Sequence, residues 1–126
     1  MIRSAATGAA RDQIEAHVRQ GLEMIQECGQ IPKEVGHIVY QHHESPDRSG
    51  LPNGLGRSSI YAPAMLVAVV DAWSALLSQV PGRRALSPEQ AMAALHDERL
   101  SGKHDAEALQ LMRRVFGIAT DAKRAA

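Results

Sequence analysis

Side chains that commonly bind metal ions are concentrated in one short stretch of this sequence. His42, His43 and Glu44 are consecutive, and Asp47 follows three positions later. Neutral imidazoles bind zinc, iron and manganese, and nearby carboxylates can orient them. Residues 46–56 then form a predicted loop with three glycines and two prolines, in which the backbone can approach a ligand closely. The stretch therefore predicts a metal site, with an ordinary connecting loop as the alternative.

The segment before this stretch is a predicted helix from about Lys33 to Glu44. Its buried face follows the spacing i, i+3, i+4, i+7 through Val35, Ile38, Val39 and His42. His43 is rotated from His42 by roughly 100° on the same turn. A single histidine on an apolar face is usually a core residue with satisfied hydrogen bonds. Two in succession, followed directly by carboxylates, favour metal ligands.

A further histidine, His17, lies on a predicted helix from about Asp12 to Cys28, which Gly29 ends. Asp12 is the predicted N-cap of this helix. His17 and Gly21 are four residues apart, so they share one face of the helix. From this segment alone, a surface histidine on an amphipathic helix is the more common interpretation.

A third predicted helix, from about Tyr61 to Leu77, is apolar on nearly every face and is expected at the centre of the fold. Asp71 is its only ionisable side chain. A buried carboxylate must be paired, protonated or bound to a cation, because removing it from water alone is costly. We expect a metal ion as the partner of Asp71; an ion pair with Arg83 or Arg84 is the alternative.

Composition limits the class of protein. The chain has 126 residues and a net charge of zero with neutral histidines, so no basic surface for a nucleic acid polymer or an anionic membrane is visible. Cys28 is the only cysteine, which suits a reducing compartment. The N-terminus lacks the apolar core of a signal peptide. The longest apolar run, residues 62–77, is shorter than the roughly 20 residues of a membrane helix. We expect a soluble, cytoplasmic protein.

The predicted fold class is all-α, a bundle of about five helices. Aromatic residues make up only 3% of the chain, and alternation typical of strands is nearly absent. Ser87, followed by Pro88, predicts the start of a fourth helix, and Asp105 predicts the start of a fifth. We expect one helical domain over residues 12–117, with disordered segments at residues 1–11 and 118–126.

Residues 42–52 resemble the signature HHExxDGxGYP of HD-GYP domains, the bacterial cyclic di-GMP phosphodiesterase branch of the HD metal-dependent phosphohydrolases. Six of the eight signature positions match: His42, His43, Glu44, Asp47, Gly50 and Pro52. Arg48 and Leu51 replace the glycine and the tyrosine. The resemblance covers about residues 12–117. Residues 17–21 look like the HPxxG segment of the family without its proline. The other matching segments are residues 53–55, 69–71 and 85–91, together with Gly102 and Asp105.

The resemblance implies an all-α bundle that encloses two or three metal ions, usually iron or manganese. It implies that His17, His42 and His43 bind one metal and that Asp71 binds its neighbour. Glu44, Asp47, Gly50 and Pro52 would form the supporting signature loop. The family reaction is attack of a metal-bridging hydroxide on a phosphodiester of cyclic di-GMP. Arg83 matches an arginine that can contact the substrate phosphate.

The sequence also departs from the family pattern. The HD pair, whose aspartate bridges the metals, has no counterpart because sixteen residues precede His17. Gln79, Val80 and Gly82 replace residues of the substrate segment. We therefore expect a signalling domain that is impaired or inactive as this chain alone, holding one metal at reduced affinity. The alternative is an inactive module that binds a nucleotide or a partner protein, or dimerises. Uncovered apolar surface predicts a homo-oligomer.

Overall fold

The computed structural model describes residues 8–118, which form five α-helices and one turn of 3-10 helix, with no β-strand in this range. The α-helices are α1 Gly8–Cys28, α2 Lys33–Gln41, α3 Ala62–Leu77, α4 Pro88–Leu100 and α5 Ala106–Phe116. The 3-10 turn, Arg57–Ser59, lies in the long connection between α2 and α3. The predicted all-α class and the number of helices are confirmed.

Two predicted helix starts are confirmed by their caps. The Ser87 side chain accepts a hydrogen bond from the Gln90 backbone N–H at 3.1 Å, and the Gln90 side chain accepts one from the Ser87 N–H at 3.0 Å. At α5, the Asp105 carboxylate accepts a hydrogen bond from the Ala108 N–H at 3.1 Å. Both caps satisfy N–H groups that lack partners within the helix.

Two other predicted boundaries are wrong. Helix α1 begins at Gly8 rather than at Asp12, so Asp12 is not its N-cap. Helix α2 ends at Gln41 rather than at Glu44, and His42 is its C-cap, with its N–H bonded to the Ile38 carbonyl at 2.9 Å. The disorder predicted at the two ends of the chain falls mainly on residues 1–7 and 119–126, which lie outside the described residues.

The main hydrophobic core is formed by α3, α4 and α5. Its buried members are Val69, Trp73, Leu76, Ala91, Met92, Leu95, Ala108, Leu109 and Met112. A smaller cluster of Ile60, Ala64 and Met65 lies at the start of α3. Helix α1 packs on α2, and α2 packs on α3. Only one side chain of α1, Val18, is buried, so the two N-terminal helices lie beside the core rather than within it.

The approach of α1 to α2 depends on Gly21. A Cβ at this position would stand only 2.8 Å from Val39 Cγ1, which is closer than packed carbon atoms come. The branched Val39 side chain has little rotamer freedom with which to yield. Glycine at position 21 therefore lets α1 lie close to the second half of α2, which brings His17 beside the end of α2.

None of the described helices is long and apolar enough to span a membrane.

The connection between α4 and α5 contains a short hydrogen bond between two ionisable groups. His104 Nε2 donates to Glu98 Oε2 at 2.6 Å, and the His104 side chain is only 10% exposed. This hydrogen bond, helped by the charges of His104 and Lys103, holds the pKa of Glu98 below its ordinary value although burial opposes the shift. A carboxylate with a lowered pKa stabilises the folded protein above its ordinary pKa, and this contribution is lost as the pH falls through the folded-state pKa.

We predict that Glu98→Gln lowers the free energy of unfolding by up to about 1 kcal/mol at pH 7, as expected for a partly exposed ionic hydrogen bond. The difference from the unmodified protein should shrink as the pH falls below about 4.3, the ordinary pKa of glutamate, because Glu98 is then protonated first in the unfolded chain and, at a lower pH, in the folded protein. Urea unfolding at pH 7, 5, 4 and 3 measures this. A difference that stays constant over this range would contradict the prediction.

Candidate metal centre

Three histidines from two helices come together at one end of the α1–α2 pair. Each of His17, His42 and His43 offers one ring nitrogen, and these three nitrogens lie within 4.8 Å of one another. The His17 ring centroid is 5.5 Å from that of His42 and 5.6 Å from that of His43. The His42 and His43 centroids are 4.1 Å apart. These residues were predicted as ligands of one metal; their ligand role stays a prediction.

The backbone fixes the tautomer of His42. Its Nδ1 lies 2.7 Å from the Val39 carbonyl oxygen. A carbonyl oxygen only accepts hydrogen bonds, so Nδ1 carries the proton and Nε2 of the neutral ring keeps its lone pair. A histidine that donates one N–H to a backbone carbonyl is the usual arrangement around a metal, because this bond orients the ring.

Nitrogens bound to one ion at about 2.0–2.1 Å lie roughly 3–3.5 Å apart. A group whose nitrogens all lie within 4.8 Å of one another is therefore a candidate for sharing one ion. His17 is exposed, and His42 and His43 are partly exposed. If these three imidazoles held a metal ion, their exposure would leave coordination positions open to water, as catalytic metal sites do.

Glu44 has a different task from the histidines beside it. Its side chain is 3% exposed, and its two oxygens accept hydrogen bonds from the backbone N–H groups of Asn53 at 2.7 Å and Leu55 at 2.8 Å. The Leu51 N–H also donates to the His43 carbonyl at 3.0 Å. We call the connection between α2 and α3, residues 42–61, the signature loop. Glu44 therefore bonds the middle of this loop to its beginning.

Close backbone packing fixes two further positions of the signature loop. A Cβ at Gly50 would stand 2.3–2.5 Å from backbone atoms of Glu44 and Ser45, so only glycine fits there. Asp47 Oδ1 accepts hydrogen bonds from the N–H and the hydroxyl of Ser49. Pro52 follows a cis peptide bond. The predicted signature residues thus build the loop that follows the histidines.

The sequence matches the HD domain family model over residues 3–108. The chain belongs to the HD domain family. This family is metal-dependent, and the three-histidine group is its candidate metal site in this chain. The signature in residues 42–52, together with the relatives described next, makes the chain an HD-GYP-like domain.

Several curated relatives are phosphodiesterases. The cyclic di-GMP phosphodiesterase response regulator RpfG of Xanthomonas campestris is 36% identical over 87 residues, 68% of this chain and 23% of the relative. A cyclic di-GMP phosphodiesterase of Pseudomonas aeruginosa is 26% identical over 105 residues, 83% of this chain and 25% of the relative. A 3'3'-cGAMP-specific phosphodiesterase of Vibrio cholerae is 32% identical over 71 residues, 56% and 16% respectively. The chain spans a quarter or less of the length of these relatives.

Arg48 replaces the glycine of the HD-GYP signature, and the backbone shows why glycine suits this position. Arg48 has φ of 67°, in the left-handed region that side chains with a Cβ rarely adopt. Its guanidinium lies against Gly56, where a Cβ would come within 2.9 Å of it. Arg48 thus adopts the backbone conformation that glycine favours, and its cationic side chain is exposed.

Asp71 is exposed, so the prediction that it is buried is wrong. It lies with Leu66, Val67, Val70 and Ser74 in a groove of about 400 Å³ on a face of α3 that no other described helix covers. Asp71 is also outside the three-histidine group. The apolar composition of α3 predicted that all its faces are buried. Asp71 would be buried only if another element packed on its face of the helix. Its role as a ligand of a second metal stays a prediction.

Arg83 does not form the ion pair with Asp71 that we considered as the alternative. Its Nη2 donates to the Ala75 carbonyl at 2.7 Å and to the Ser78 carbonyl at 3.4 Å, at the end of α3. The Ala75 carbonyl also accepts the N–H of the C-cap residue Ser78 at 3.2 Å, so Arg83 adds a second bond to a carbonyl of the last turn of α3. Its Nη1 is buried without a hydrogen-bond partner among the described residues. The predicted contact between Arg83 and a substrate phosphate therefore stays a prediction.

Sequence patterns missed the contacts that attach the signature loop to the rest of the fold. Gln41 Oε1 accepts a hydrogen bond from the Tyr61 N–H at 2.6 Å. Arg57 forms an ion pair with Asp105, which we had predicted only as a helix cap. Helical periodicity reports which face of a helix is buried but not which distant side chains meet, so no pattern in the chain could have revealed these pairs.

We predict that His42→Ala weakens Co²⁺ binding at least tenfold, since it removes one of three ligands. Titration followed by the absorption of bound Co²⁺ measures the affinity. The matched control is His37→Ala, which removes an exposed histidine of the same helix outside the three-histidine group. Equal losses in both variants would contradict the assignment of the site.

We predict that Glu44→Gln lowers the free energy of unfolding by about 1–3 kcal/mol. The amide has one accepting oxygen, so it can satisfy only one of the two backbone N–H groups and directs its NH₂ at the other. Urea unfolding measures the change. Glu34→Gln is the control, because Glu34 is exposed in the first turn of α2. Equal stability of the two variants would show that the Glu44 hydrogen bonds do not hold the loop.

Proposed function

We propose that this chain is a metal-binding HD-GYP-like signalling domain that acts, with reduced activity, on the phosphodiester bonds of a cyclic dinucleotide. The observation that carries the proposal is the convergence of His17, His42 and His43 within 4.8 Å. His17 lies on α1, 25 residues before the adjacent His42 and His43 at the end of α2, and packing alone gives no reason for three imidazoles to meet. The names of the relatives supply the substrate class: cyclic di-GMP or the related 3'3'-cGAMP.

The chain's own residues would hold and orient the site. We propose that the three histidines bind the metal and that the Val39 carbonyl keeps Nε2 of His42 directed at it. A divalent ion supplies Lewis-acid stabilisation and an activated water for phosphodiester hydrolysis. Imidazole ligands suit iron, and the resemblance favours iron or manganese. Asp71 is the proposed ligand of a neighbouring ion, and its exposed carboxylate is open to a cation.

Charged groups near the loop would contact the substrate. The exposed guanidinium of Arg48 makes no side-chain hydrogen bond or ion pair within the described residues, so it is available to a phosphate. We propose Arg83 as a second phosphate contact, which requires release of its bonds to the end of α3.

A reducing cytoplasm, as predicted from the sequence, agrees with the one cysteine, Cys28, which is free and exposed.

A second function, an inactive module that binds a nucleotide or another protein, is favoured by particular observations. Arg48 and Leu51 replace the glycine and the tyrosine of the signature. Asp71 lies in an uncovered groove beside Val67 and Val70, each 38% exposed. We propose this groove as a surface for self-association or for a partner protein. On this hypothesis the metal site would support folding or ligand binding rather than turnover.

One experiment separates the two functions. Hydrolysis of cyclic di-GMP is measured with Mn²⁺ for the unmodified protein, His42→Ala and Asp71→Ala, with His37→Ala as the control. We expect slow turnover that His42→Ala and Asp71→Ala reduce at least a hundredfold, because each removes a metal ligand. Metal binding without turnover, combined with nucleotide binding, would instead support the inactive module. Turnover that survives His42→Ala would contradict the proposed site.

A further inference from the structure

The histidine site lies outside the main core, so its geometry depends on how the signature loop is attached. The main core is built by α3, α4 and α5, whereas α1 packs on α2 and α2 packs on α3. His42 and His43 stand at the point where α2 enters the signature loop. A displacement of this loop relative to the core would therefore also move His42 and His43, two of the three candidate ligands.

Within residues 8–118, one side-chain hydrogen bond joins the second half of the signature loop to the start of α5. Arg57 Nε lies 2.8 Å from Asp105 Oδ1. The Asp105 side chain is 6% exposed, whereas that of Arg57 is 61% exposed. The other carboxylate oxygen of Asp105 accepts the Ala108 N–H at the start of α5. One buried carboxylate thus bonds the loop with one oxygen and the first turn of α5 with the other.

The first half of the loop rests on the same connection between α4 and α5. A Cβ at Gly102 would stand 3.1 Å from Asp47 Cβ, so the backbone of the connection lies directly against Asp47. Gly102 has φ of 90°, which also requires glycine. Residues 101–105 therefore contact the signature loop on both of its halves, through packing at Asp47 and through a charged hydrogen bond at Arg57.

We propose that Arg57 and Asp105 are positioning residues for the histidine site. Their bond holds the signature loop against the α3–α5 core. It thereby keeps the rings of His42 and His43 close to that of His17. Neither residue belongs to the three-histidine group. The inference rests on the proposed function, because it requires metal binding by the histidines. If the pair were merely structural, its removal would lower stability without changing metal affinity in the folded protein.

Two variants break the pair from opposite sides. Arg57→Gln changes an exposed side chain and leaves Asp105 in place, so the fold should tolerate it. Asp105→Ser keeps a hydroxyl that can cap α5 through the Ala108 N–H but removes the carboxylate that binds Arg57. The matched control is Glu98→Gln, which removes the neighbouring hydrogen bond to His104 and makes no described bond to the signature loop. Thermal melts confirm that each variant is folded.

The readout is the dissociation constant of Co²⁺ and the absorption spectrum of the bound ion. We expect Arg57→Gln and Asp105→Ser each to weaken Co²⁺ binding about three- to tenfold, a typical size for coupling through intervening contacts. The double variant should be no weaker than the worse single variant, because both remove the same bond. Glu98→Gln should stay within about twofold of the unmodified protein.

The outcomes distinguish the inference from the proposed function. If the unmodified protein binds Co²⁺ through His42 and both variants bind it equally well, the positioning role is wrong and the metal site stands. A loss of the same size in Glu98→Gln would also overturn the positioning role, because it would reflect general destabilisation. If the unmodified protein does not bind Co²⁺, or if His42→Ala binds it unchanged, the proposed metal site fails and the inference fails with it.

Discussion

The hydrogen bonds from the Asn53 and Leu55 N–H groups to the Glu44 carboxylate are the constraint on which the rest of the site depends. A buried charge is tolerated only when its oxygens are satisfied, and here both are used by the backbone of the same loop. The bonds draw the middle of the signature loop back to the end of α2. The histidines and the glutamate of the motif therefore have different roles: the histidines are the proposed metal ligands, and the glutamate holds the loop that follows them through its two hydrogen bonds.

The position of the third histidine depends on a different contact. His17 is exposed on α1, a helix that buries only Val18 and is held mainly by its packing on α2. Gly21 allows that close packing, one turn after His17. Since metal binding adds its free energy to the folded state alone, an ion shared by α1 and α2 would stabilise the least buried contact of the fold. The site and the helix pair that builds it would then support each other.

Sequence reasoning succeeded where local chemistry decides the structure. The caps at Ser87 and Asp105 depend on neighbouring residues, and they predicted the starts of α4 and α5. The spacing through His42 predicted the presence of α2 but not its burial, because no residue of α2 is buried and Val35 is exposed. Sequence reasoning failed for Asp71, because the apolar composition of α3 describes what the helix tolerates and not whether another element covers it. It could not find the pair Arg57–Asp105, since two residues 48 positions apart meet only through the tertiary fold.

The exposed face of α3 carries both apolar side chains and Asp71, the proposed ligand of a second metal ion. Val67 and Val70 lie beside Asp71 in the same groove. An element that covers the two valines would gain apolar burial, but it would also remove water from the Asp71 carboxylate. That carboxylate must then be protonated, paired with a basic side chain of the covering element, or bound to a metal ion. Self-association or partner binding at the groove would therefore be coupled to neutralisation of Asp71, by whichever of these three means the covering element allows.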